Sequence, residues 1–212
     1  MVLMMSMFGT AQPALLAFPE ERPVFLREYS TNHYSVVAYF ISRFTIEASI
    51  TAIQIFIQLL LSYYLIGLQA GFIITFIFTY VLAMASTAMA VLLGCSVEDP
   101  KLGQEMLPIL FVPQMLFAGF FVIPELIPIW LRWASYLCSL TYAVRIALLE
   151  EFGNEQCGPE GSEGYRNCKN LLTNVNADED EKWWYWIILF VIFGCFRMFG
   201  LFILQQKATK FF

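Results

Sequence analysis

Residues 72–94, FIITFIFTYVLAMASTAMAVLLG, contain no Asp, Glu, Lys or Arg. A run of this length exceeds the roughly 20 helical residues that cross a hydrocarbon layer of about 30 Å. It also has company. Residues 36–66 hold only Arg43 and Glu47 as charges, 105–124 only Glu105, and 183–206 only Arg197, while residues 1–18 hold none. The whole chain is 14% charged and 59% hydrophobic with a mean hydropathy of +0.65, against roughly 25% charged residues in a soluble domain. Lipid is the solvent these blocks fit. They lack the period-two alternation of a membrane barrel strand, so the expected class is an all-α polytopic membrane protein with about five spans: 1–18, 36–66, 72–94, 105–124 and 183–206. The first of these has no basic segment before its apolar run and does not read as a signal peptide.

The polar segments suggest an orientation. Lys207 and Lys210 follow the last apolar block closely, and basic flanks mark the cytoplasmic side more strongly than acidic ones mark the outside. The C-terminus is therefore expected to be cytoplasmic. Counting back, residues 153–182 form an external loop, GLQAG at 67–71 an external turn, and 19–35 a cytoplasmic segment. Arg132, Arg145, Arg166, Lys169 and Lys182 run against this count. Within the loop, Cys157 and Cys168 are separated by ten residues, a spacing suited to a disulfide-closed ring outside the reducing cytosol; two free thiols are the alternative. Cys95, Cys138 and Cys195 lie in or beside apolar blocks and read as small buried hydrophobes. His33 stands alone, and no Cys/His set has metal-ligand spacing.

The segment FPEERPVFLREYSTNHYSV, residues 18–36, mixes Glu20, Glu21, Arg22, Arg27 and Glu28 with Val24, Phe25 and Leu26. Pro19 and Pro23 are expected to interrupt the preceding helix. The mixture suits a short helix at a membrane surface or against a cytoplasmic partner, and equally a polar turn whose arginines meet headgroups. Arg43 and Glu47 share a helical face at i, i+4 and form a candidate ion pair inside a span, or an interfacial extension of it. Arg197 is expected to face protein, water or a headgroup. In 105–124, Pro108 and Pro113 disturb helical bonding beside Met115, Phe117, Phe120 and Phe121. These four are candidates for an apolar path, with lipid contact as the ordinary alternative. Residues 125–152 are aromatic and amphipathic with Arg132 and Arg145 inside, and read as short re-entrant or interfacial helices, Trp130, Trp133 and Tyr136 suiting the headgroup belt.

Three stretches in order, FPEERPVFLREYSTNHYSVVAYFISR, LFAGFFVIPELIPIWLRWASYLCSLTYA and EEFGNEQC, resemble the membrane domain of the G subfamily of ATP-binding cassette transporters, including its pleiotropic-drug-resistance branch. The likeness covers nearly the whole chain, from that domain's second helix to its sixth. It implies an ABC-2 type fold, in part. It further implies that Glu21, Arg22, Arg27 and Glu28 lie in a region coupled to a nucleotide-binding domain, and that 105–124 borders a substrate path. The implied partners are that nucleotide-binding domain, a second membrane domain as homodimer, heterodimer or pseudo-dimer, membrane lipids and a hydrophobic substrate; nucleic acid is not among them. ATP and magnesium are implied for the nucleotide-binding partner and no cofactor for this chain. No G-x-x-x-x-G-K-[ST] phosphate loop occurs in the sequence. The expectation is thus a fragment, a split product or part of a larger transporter that does not hydrolyse ATP by itself.

The leading functional expectation is the membrane-spanning part of an ATP-driven exporter of drugs, sterols or lipids, in the plasma membrane. The alternative is a membrane interaction subunit that does not transport. Glu105, Glu125 and Glu150 are too scattered to make a catalytic constellation.

Overall fold

The computed structural model describes residues 1–30, 36–68, 70–97, 99–119, 132–153, 163–177 and 181–210, with side chains described except at 18–30, 100, 132, 163, 164, 167, 174 and 207–210. Eight helices are present among them: α1 (Val2–Ser30), α2 (Val36–Ile66), α3 (Phe72–Ser96), α4 (Pro100–Phe117), α5 (Arg132–Tyr136), α6 (Ser139–Glu151), α7 (Glu163–Asn174) and α8 (Lys182–Lys210). Three have the length and composition to cross a membrane, over Val36–Ile66, Phe72–Ser96 and Lys182–Gln206, and Val2–Ala17 is a shorter apolar helix. The protein is a membrane-spanning helical bundle.

The centre of the bundle is α3. It is apolar all round, the pattern of a helix enclosed on every side, and its buried residues run almost without a break from Phe78 to Val91. Ala83, Ala85, Ser86, Thr87, Ala88 and Ala90 keep its flank narrow, which lets neighbouring backbones come close where lipid gives no hydrophobic push. Against it α1 sets Met7, Ala11 and Leu15, each at most 1% exposed. Their i, i+4, i+8 spacing aligns them on one face. Polar side chains join the helices: Thr10 and Ser86 hydroxyls meet at 3.3 Å, and Gln58 Nε2 on α2 donates to the Val2 carbonyl and Ser6 Oγ of α1 at 3.2 and 3.0 Å. Such bonds act as glue between apolar helices. The outer face of α2 is a stripe of exposed Ile41, Ile46, Ile50, Ile53, Ile57 and Leu61, suited to lipid.

Three details differ from the sequence reading. Pro19 and Pro23 do not end the first helix, because α1 runs unbroken from Val2 to Ser30. Each proline removes one backbone donor and crowds the preceding turn, which a helix can absorb as a bend without terminating. The long polar loop contains a helix of its own, α7, whose apolar and polar residues segregate to opposite faces. Cys195, expected to be buried, is exposed, whereas Cys95 and Cys138 are buried; the outward side of α8 accepts a small apolar side chain at no cost in lipid. The expected span at 105–124 falls on α4, which begins at Pro100 and continues through Pro108 and Pro113 to Phe117; residues 120–124 lie outside the described ones.

Candidate functional site

The end of α4 borders an apolar cavity of about 320 Å³. Pro113 and Phe117 line it from α4, Met89 from α3, Phe196 from α8, and Leu137 and Cys138 from the turn between α5 and α6. Few polar groups converge there. Gln114, 5% exposed, donates from Nε2 toward Met89 Sδ at 2.8 Å and accepts the Ser139 hydroxyl at 3.3 Å. Thr141 Oγ1 donates to the Phe117 carbonyl at 3.1 Å, occupying an acceptor that the ending helix leaves open. Burial pushes the Cys138 thiol up to about 12, so it stands protonated in the wall and donates to the Ala134 carbonyl at 3.3 Å. A concave, mostly apolar space with a few fixed polar atoms is the ordinary form of a site for an apolar ligand. Phe117 lines it. Met115 does not, and packs half-buried against the main core instead. Phe120 and Phe121 lie outside the described residues.

Beyond Phe117 the chain turns at Gly119, whose φ is +81°. A Cβ there would come within 3.3 Å of Val175 Cγ1 in the turn after α7. Conformation and space thus both call for glycine. The same turn is held by Arg145 of α6, whose Nε donates to the Val175 carbonyl at 3.1 Å. Its guanidinium lies 5.3 Å from the Tyr185 ring centroid and 6.0 Å from that of Tyr142, within cation–π range. The Tyr185 hydroxyl lies 3.3 Å from the Asn176 carbonyl and 3.1 Å from Glu181 Oε2. At the same end Glu150 pairs with Lys182 at 2.8 Å, and Glu151 accepts the Ala70 N–H at 3.0 Å. Cys168 is buried and disulfide-bonded; Cys157 lies outside the described residues.

A buried ion pair crosses the other part of the bundle. Arg197 of α8 grips both oxygens of Glu47 on α2, at 2.6 and 3.1 Å, and its Nη2 also lies 3.4 Å from Thr87 Oγ1 on α3. The Phe44 ring centroid is 4.9 Å from the guanidinium carbon and that of Phe193 is 5.8 Å away. Arg197 is only 8% exposed. The sequence reading coupled Glu47 with Arg43; the structure adds Arg197, 150 positions away, as a bidentate partner. Arg43 lines a crevice beside Glu47. The backbones of Glu21, Arg22, Arg27 and Glu28 lie on α1, with their side chains outside the description. Among the described residues no His, Cys, Asp and Glu cluster offers a metal site.

Helical bundle, central enclosed helix and apolar cavity fit many membrane proteins, and the sequence match decides among them. Residues 1–152 match the ABC-2 type transporter family. The chain belongs to that family. It is 24% identical over 201 residues to "Protein white" of Drosophila melanogaster, covering 91% of this chain and 29% of that protein. It is 23% identical over 222 residues to "ABC transporter G family member 1" of Dictyostelium discoideum, with 95% and 28% covered. With "ABC transporter G family member STR2" of Petunia hybrida it shares 25% identity over 179 residues, covering 83% of the chain and 25% of that protein. The chain thus spans between a quarter and a third of the length of these curated relatives, as an ABC-2 membrane domain homologous to G-family members. The pleiotropic-drug-resistance branch is not singled out by these relatives.

Proposed function

We propose that this ABC-2 domain is the membrane-spanning part of an ATP-driven exporter for hydrophobic or amphipathic molecules. The observation that carries the reading is the family match over residues 1–152; the apolar cavity beside Phe117 supports the nature of the cargo. In this reading Phe117 presents an aromatic face to the cargo, with Phe120 and Phe121 continuing the path. Broad contact with few directional demands suits varied apolar molecules. ATP and magnesium act in a nucleotide-binding partner, which meets the region of Glu21, Arg22, Arg27 and Glu28, and a second membrane domain completes the path. The C-terminus lies in the cytoplasm, the membrane is the plasma membrane, and Cys157 closes the external ring with Cys168.

The test is purification of the intact protein from native membranes followed by reconstitution. A copurifying or covalently continuous nucleotide-binding domain, together with ATP-dependent movement of an apolar fluorescent amphiphile, is the expected result. Stable association with a complete transporter whose flux is unchanged when this chain is removed supports the interaction-subunit reading instead.

A further inference from the structure

Among the described residues lining the cavity beside Phe117, only Gln114 and Cys138 carry a side-chain donor. The Cys138 thiol gives its hydrogen to the Ala134 carbonyl at 3.3 Å. The Gln114 amide has an oxygen and two N–H hydrogens to place. Its oxygen accepts the Ser139 hydroxyl at 3.3 Å, and its Nε2 lies 2.8 Å from Met89 Sδ. Chemistry fixes that orientation, since a thioether sulfur accepts and cannot donate. Turning the amide over would set its oxygen against a second acceptor.

A thioether is a weak acceptor, and here it faces one of the two N–H groups. The other has no acceptor among the described residues, on a side chain only 5% exposed. A buried N–H left without an acceptor is costly, and an arriving acceptor removes that cost. A hydrocarbon brings none, while an ammonium brings further donors and a charge to desolvate. An uncharged carbonyl or hydroxyl oxygen fits. The cavity is also open, because Ile109 and Leu137 in its wall are 72% and 51% exposed. A molecule dissolved in lipid thus has a way in past the outer side of α4.

We propose that Gln114 sets the specificity of this cavity, favouring apolar molecules with one uncharged oxygen acceptor, a carbonyl or a hydroxyl, that takes its second N–H. Met89 on α3 and Ser139 on α6 are positioning residues, holding the amide from two other helices. This specificity rests on the reading that the cavity receives cargo, and it narrows that cargo from any apolar molecule to an oxygen-bearing one.

Adamantane diazirine, an apolar photolabel, applied to the intact protein in nanodiscs of ether-linked phosphatidylcholine, should mark the peptides that carry Phe117 or Cys138. Competition by adamantane, adamantanone, adamantanol and adamantylammonium, each at its measured concentration in the bilayer, then varies only the polar group on one skeleton. The ketone and the alcohol should displace the label at about fivefold lower concentration than the hydrocarbon, the effect of one neutral hydrogen bond; the ammonium should show no such advantage. Gln114→Met should bring ketone and hydrocarbon to equal potency. In wild type the infrared carbonyl stretch of bound adamantanone should lie below its value in cyclohexane, which decides the matter if Gln114→Met does not fold. Equal potency in wild type, a ketone advantage that survives Gln114→Met, or a carbonyl stretch at the cyclohexane value overturns the role of Gln114 and leaves the cavity as a cargo site. Absence of label from both peptides overturns the two together.

Discussion

Arg197 and Glu47 show what a single buried pair does in a bundle of apolar helices. With bidentate geometry and little exposure of either side chain, they tie α8 to α2, and Thr87 brings in α3. Removing one partner strands the other. Glu47→Gln should therefore lower stability by about 3–5 kcal/mol, whereas the double change Glu47→Gln/Arg197→Met should recover much of the loss. Thermal unfolding of the intact protein checks this, and additive losses in the double variant would contradict the pairing. Gly119→Ala should cost about 1–2 kcal/mol, since a left-handed backbone disfavours any Cβ and Val175 leaves it little room. The presence of charges at 43, 47 and 197 was plain in the sequence. That Arg197 meets Glu47 was not, because the contact depends on how three helices pack.

At the scale of elements, the cavity beside Phe117 is built by the ends of several helices meeting. The helix α4 brings Pro113, Gln114 and Phe117, while Cys138 and Ser139 open α6 opposite. Phe117→Ala should alter selectivity among apolar substrates by severalfold while leaving the bundle folded, because one aromatic face contributes about 1 kcal/mol beyond area burial. Met115→Ala should act mainly on stability, at a cost of about 2 kcal/mol, since Met115 packs on the core. Competition assays with the assembled transporter separate the two, and a shift in selectivity by Met115→Ala alone would reverse the assignment. The apolar blocks of α2, α3 and α8 were legible from length and charge alone. The helix α7 was less so: its polar composition read as a loop, although its apolar residues fall on one helical face. Arg145, read as one of two arginines inside an amphipathic re-entrant or interfacial segment, anchors the turn at Val175. Tyr185 and Val175, its partners, lie too far along the chain for any local pattern to reveal.

For the whole molecule, an ABC-2 bundle packs around α3 with an apolar cavity at one end of α4, and the proposed function has it receive motion through the continuous helix α1. Under that proposal the long α1 would give the coupling a mechanical form, since residues 19–30 extend the same helix that packs on α3 through Met7, Ala11 and Leu15. Charge reversal at Glu21 or Arg27 should reduce substrate-stimulated ATP turnover in the assembled complex while leaving membrane insertion intact. Peptide mapping without reduction should likewise find Cys157 joined to Cys168; free alkylation of both in protein from intact membranes would remove the ring. The most direct measurement is ATP-dependent flux of a panel of apolar amphiphiles into proteoliposomes holding the intact protein with its nucleotide-binding domain. Wild type should move at least one of them, and Phe117→Ala should change their order of preference without abolishing ATP turnover. Flux no greater than that of a complex whose phosphate-loop lysine is replaced, for every amphiphile tested, would contradict the account.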